Sequence, residues 1–131
     1  MASIYSTVDV AVTREKAWSA LRVVSDAHKL FAPVLTDGHL DGDTRTVRFA
    51  NGMVVRERIL DIDESSRRVA YTALDGPGMS YHHASMQIVD GGQGRCRFVW
   101  ITDFLPAELK GTLAPLIEQG SAALKANLER S

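Results

Sequence analysis

The stretch Met79-Ser-Tyr-His-His-Ala-Ser-Met-Gln-Ile-Val89 places two of the chain's four histidines side by side in an alternating apolar run. Strand parity puts His82 on one face with Ala84, Met86 and Ile88, and Tyr81, His83, Ser85 and Gln87 on the other. Adjacent histidines on a strand point apart and cannot hold one metal together. His28 and His39 belong to other elements, so no metal site and no cofactor is expected. His82 has two readings: a core histidine satisfied by a hydroxyl or a carbonyl, or a polar group set in an apolar cavity to orient a ligand or move a proton. Glu57 also has two. On Met53–Ile62 the faces Met53, Val55, Glu57, Ile59 and Val54, Arg56, Arg58, Leu60, Ile62 compete. Two arginines are hard to bury unpaired, which favours the first face inward; the alternative pairs Glu57 with an arginine at the sheet surface. Cys96 is the single cysteine and can form no internal disulfide. Flanked by Arg95 and Arg97, which point to the opposite face, it reads as a reduced packing residue in an intracellular protein.

The elements that must position these groups can be read along the chain. With 131 residues, 45% hydrophobic and 24% charged, the chain is of ordinary globular composition and fits one domain. A net charge of −1 excludes the basic footprint of a nucleic-acid binder. No apolar run is long enough to span a membrane, and the start Met-Ala-Ser-Ile-Tyr-Ser lacks a signal-peptide pattern, so a cytoplasmic protein is expected. Ser3–Val12 alternates as a strand. Thr13 caps a helix carrying Ala17, Trp18, Leu21 and Val24, and a second short helix runs from Ser25 to Phe31, stopped by Pro33. Strands follow at Val34–Leu40, Thr44–Ala50, Met53–Ile62, Arg67–Leu74, Ser80–Val89 and Arg95–Phe104, separated by turn signals that include Asn51-Gly52. Ala107–Arg130 carries one apolar stripe at helical spacing, with Gly111 and Pro115 predicting a bend or a main helix that begins near Thr112. The result is an α+β fold: a seven-stranded antiparallel sheet curled around a long C-terminal helix, with two short helices between strands 1 and 2. Sheet twist then leaves a cavity between the layers, and a ligand-bearing cavity holds roughly 300 Å³ or more.

This order resembles the helix-grip fold of the START-like superfamily, which includes polyketide cyclases, the birch-pollen allergen group and the abscisic-acid receptors. The carriers are Val8-Asp-Val-Ala-Val-Thr-Arg-Glu-Lys-Ala-Trp18, Arg56-Glu-Arg-Ile-Leu-Asp-Ile-Asp63, Arg67-Arg-Val-Ala-Tyr71 and Gly94-Arg-Cys-Arg-Phe-Val-Trp100 followed by the helix. Together they look like small bacterial polyketide cyclase/dehydrase-like proteins. The resemblance covers nearly the whole chain and implies a single START-like ligand-binding domain over 1–131. By likeness to the hormone-receptor branch, Glu57 points into the pocket.

The expected cavity wall is Val55, Glu57, Ile59, Tyr71, His82, Ala84, Met86, Phe98 and Trp100 from the strands, with Leu116 and Gly120 from the helix. The aromatics read equally as ordinary core, and Trp18 as packing. Three functions are open. The first is binding of a small hydrophobic or aromatic molecule. The second is a cofactor-free cyclase or dehydratase with Glu57 and His82 as the catalytic acid/base pair, two strands and roughly 10 Å apart. The third is a protein-interaction subunit, for which the Gly120-Ser-Ala-Ala123 stretch offers a close-packing patch. A homodimer stays open, and Gly76-Pro-Gly78 reads as a loop over the cavity mouth or as an ordinary turn.

Overall fold

The structure is a computed structural model that describes residues 2–76 and 78–131. Strand β1 (Ala2–Val10) leads into α1 (Arg14–Leu21), a 3₁₀ turn (Val24–Asp26) and α2 (Ala27–Leu30). Six strands follow: β2 (Leu35–Asp41), β3 (Thr44–Phe49), β4 (Val54–Asp63), β5 (Arg68–Ala73), β6 (Tyr81–Gly92) and β7 (Arg95–Leu105). A 3₁₀ turn (Ala107–Leu109) then opens directly into α3 (Lys110–Arg130). The strands form one antiparallel sheet in the order β1-β7-β6-β5-β4-β3-β2, and α3 lies across its concave face. This is the helix-grip arrangement.

Thr13 caps α1 as its position predicts, accepting from the Lys16 amide at 3.1 Å. The following segment departs from expectation. α1 ends at Leu21, Ser25 caps nothing, and the second helix is split into a 3₁₀ turn and four helical residues. Val24, Ala27, Leu30 and Phe31 are all buried there, so packing on the sheet decides a backbone too short to hold itself as a helix. β1 stops at Val10, opposite Cys96, the last residue of its register with β7. Val12 remains buried although it has left the strand.

The sheet's inner rows hold the core: Val10, Val69, Ile88, Cys96 and Phe98 are almost wholly enclosed, with Leu124 from α3 set against them. Helix α3 buries Ile117, Gly120, Ser121, Ala123, Leu124 and Leu128, all beyond Pro115. The Gly120–Ala123 stretch therefore packs on the sheet: Ser121 Oγ lies 3.1 Å from Ser6 Oγ on β1. The helix does not begin near Thr112: it starts at Lys110 and carries Pro115 within it. Proline lacks the amide that Gly111 O would accept from, so this turn is weakly held.

Candidate functional site

One turn decides what faces the concave side. A two-residue Asn51-Gly52 hairpin would set Arg45 opposite Arg58, a like-charge pair. Instead the Phe49 amide donates to Met53 O at 2.8 Å and Gly52 adopts φ +90°, so Ala50, Asn51 and Gly52 make the loop. The register then pairs Val47 with Val55 and Arg45 with Glu57. All four point inward. Arg45 Nε donates to Glu57 Oε1 at 2.9 Å, and its Nη1 donates to Val24 O at 3.2 Å, tying the 3₁₀ turn to the sheet. Arg58, Arg56 and Val54 take the wet face. Glu57 does pair with an arginine, but on the inner face.

The same row continues across the sheet. Glu57 stands opposite Ala73 on β5, and the Ala73 amide donates to His82 Nδ1 on β6 at 2.9 Å. The β5–β6 ladder ends at Tyr71 and Ala84, so an imidazole supplies the acceptor that the next rung lacks. The Thr72 hydroxyl bonds His82 O beside it. Burial, reinforced by neighbouring His83 and opposed by Asp103, lowers the His82 pKa to about 4. The ring is thus neutral at physiological pH. Because Nδ1 accepts, its proton sits on Nε2. His83 faces the other side, opposite Asp103.

Tyr71 occupies the adjoining row. Its ring lies under the Arg45 guanidinium, with 5.3 Å from Cζ to the ring centroid, and 5.8 Å from the His82 ring. Its hydroxyl accepts from Trp100 Nε1 at 3.2 Å. Burial first, then the charge of Glu57, pushes the phenol above its ordinary range. Trp100 in turn packs 5.7 Å from Phe31 and lies against Gly120, where a Cβ would come within 2.9 Å of its ring.

These side chains wall a cavity of about 200 Å³ between the sheet and α3. Of the anticipated wall, Val55, Glu57, Tyr71, His82, Met86, Trp100, Leu116 and Gly120 line it. Ile59, Ala84 and Phe98 do not line it. Ala84 and Phe98 are fully enclosed in the core, and Ile59 packs against that core beside Tyr71. Parity assigns a face; it does not say where along the strand the layers close. Met53 and Thr102, which parity sets on inner faces, line the cavity too, as do Arg45, Phe31, Phe49 and Leu113, which were not anticipated. Arg45 had a signal, since it alternates with Val47 and Phe49. Gly76 and Met79 stand on the cavity wall, while Pro77 of the anticipated mouth loop lies outside the described residues. Elsewhere, Trp18 is buried and donates to Glu64 at 2.7 Å. Cys96 is enclosed, and burial raises its thiol pKa, which disfavours the thiolate. Among the described residues no helix is long and apolar enough to cross a membrane.

The family model described as "Polyketide cyclase / dehydrase and lipid transport" matches residues 1–130. The chain belongs to that family. A comparison with curated proteins found no match. Among solved structures, a protein from Thermobifida fusca is similar at 26% identity, covering 99% of this chain and 95% of that one, with a TM-score of 0.83. A START superfamily protein from Mycobacterium smegmatis is 15% identical over 98% of this chain and 97% of that one, with a TM-score of 0.82. Norcoclaurine synthase from Thalictrum flavum, in complex with dopamine and hydroxybenzaldehyde, is 18% identical over 98% and 84% of the two chains, with a TM-score of 0.76. At these identities the last two show a shared fold alone.

Proposed function

We propose that this protein binds a small, mainly apolar molecule in the cavity between the sheet and α3. The observation that carries the reading is a cavity of about 200 Å³ walled by Val55, Met86, Trp100, Leu113 and Leu116, whose charged residues among the described ones, Arg45 and Glu57, are already paired with each other. Cavity space lined by apolar atoms lacks dispersion partners, and a ligand supplies them. The volume is below the roughly 300 Å³ of ordinary ligand sites. An apolar cavity of about 150 Å³ holds benzene, so a single ring with a short substituent fits.

The melting temperature in saturating toluene tests this. The wild-type protein is expected to gain a few degrees, as ligand binding to the native state alone requires. Ala73→Leu, which fills the cavity, is expected to gain none. No rise in the wild-type protein overturns the reading.

A second reading has one specific observation in its favour: Glu57 and His82 share a cross-strand row facing one cavity, with Ala73 between them. It is a cofactor-free cyclisation or dehydration. In it Glu57 takes a proton and His82 donates through Nε2–H, because Nδ1 is committed to Ala73. Glu57→Gln would then abolish turnover while leaving affinity intact; a variant that only weakens binding removes this reading.

A further inference from the structure

Resting on the binding reading above, we infer that the cavity is built for an uncharged one-ring carbonyl compound whose oxygen is taken by the Tyr71 hydroxyl and the His82 Nε2–H. Three observations converge on this. The first is charge. Arg45, Glu57, Tyr71 and His82 are the titratable groups among the described lining residues. Arg45 and Glu57 cancel at 2.9 Å, with side-chain exposures of 8% and 13%. His82 and Tyr71 are neutral. A charged ligand would enter with no free counter-ion and would carry its desolvation cost uncompensated.

The second is the residual hydrogen-bonding capacity. The Tyr71 oxygen already accepts from Trp100 Nε1, so what it has left to give is its proton. His82 Nδ1 already accepts from the Ala73 amide, so what remains is Nε2–H. Neither proton has an acceptor among the described residues, and the two rings are 5.8 Å apart. Two donors left over on an apolar cavity wall can both be met by one acceptor that a ligand brings. A carbonyl oxygen has two lone pairs and no proton, so it can receive both. The third observation is size: about 200 Å³ admits one ring beside that oxygen.

Titration calorimetry near neutral pH with acetophenone, ethylbenzene and benzoate separates these terms. Acetophenone and ethylbenzene are close in shape and differ in the acceptor; benzoate adds a charge. Acetophenone is expected to bind about 10-fold tighter than ethylbenzene, the value of one to two satisfied hydrogen bonds, and about 100-fold tighter than benzoate. In Tyr71→Phe the preference for acetophenone over ethylbenzene is expected to shrink at least about 3-fold. Equal affinity for acetophenone and ethylbenzene overturns the carbonyl assignment and leaves the binding reading standing. Benzoate binding as tightly as acetophenone overturns the charge assignment. Binding of none of the three removes the binding reading and this inference together. The wild-type comparison decides these outcomes even where the variant fails to fold.

Discussion

Arg45 on β3 meets Glu57 on β4 at 2.9 Å on the concave face of the sheet, both side chains largely removed from solvent. The pair joins three parts of the chain, because Arg45 also holds Val24 O and covers the Tyr71 ring. It places charge in the cavity wall without leaving net charge there.

Removing one partner strands the other. Arg45→Ala is expected to cost about 3–5 kcal/mol by leaving the Glu57 carboxylate buried without its cation, read from urea unfolding. Replacing both by Arg45→Met with Glu57→Leu is expected to stay within about 1 kcal/mol of wild type or exceed it. If Arg45→Ala unfolds at the wild-type midpoint, the pair is not a buried one in solution.

His82 predicts an acid-sensitive stability. Its pKa falls from 6.5 to about 4 on folding. Between those values the unfolded chain binds a proton that the folded one refuses, so stability drops as pH falls through this window. The loss is at most roughly 3 kcal/mol, and above 6.5 the group contributes no slope. Unfolding free energies across the window should fall less steeply in His82→Gln than in wild type. Parallel curves would assign the acid sensitivity to other groups.

Gly120 sets the position of Trp100. A Cβ there would lie 2.9 Å from the indole ring, which must then shift; a tilt into the cavity takes it away from Tyr71. Alanine regains about 1 kcal/mol of helix propensity, so Gly120→Ala should fold yet lose about 10-fold or more in toluene affinity, with an altered near-ultraviolet signal from Trp100. Unchanged affinity would show that the ring yields in another direction.

The first turns of α3 should open most readily. Leu109, Thr112, Leu113 and Leu116 line the cavity, yet α3 has no side-chain cap, carries Pro115 within it and buries nothing before Ile117. Few buried contacts mean low local stability. Amide exchange over 110–116 is expected to run at least about 100-fold faster than over 117–128 and to slow with toluene bound. Uniform protection along the helix would place access to the cavity elsewhere.

The fold was legible because nearly every strand shows period-two alternation between turn signals, and Ala107–Arg130 shows one stripe. Inner faces followed from parity: Val55, Tyr71, Met86 and Trp100 are where alternation puts them. What parity could not supply was depth, which is why Ala84 and Phe98 are core rather than cavity wall. Nor did it supply the partner of Glu57, because that depends on a loop of three residues instead of two. A one-residue change in turn length would have exchanged Glu57 for Arg58 opposite Arg45. For His82, neither partner that the sequence suggested, a hydroxyl or a carbonyl, is the one found: its Nδ1 accepts from the Ala73 amide, and its ring lines the cavity.

The most direct measurement is a toluene titration of the isotope-labelled protein, following the two tryptophan indole N–H resonances by nuclear magnetic resonance. Trp100 lines the cavity, whereas Trp18 lies outside it and donates to Glu64. The expected result is a saturable shift of the Trp100 indole with the Trp18 indole stationary. A stationary Trp100 at saturating toluene would contradict a ligand site between the sheet and α3.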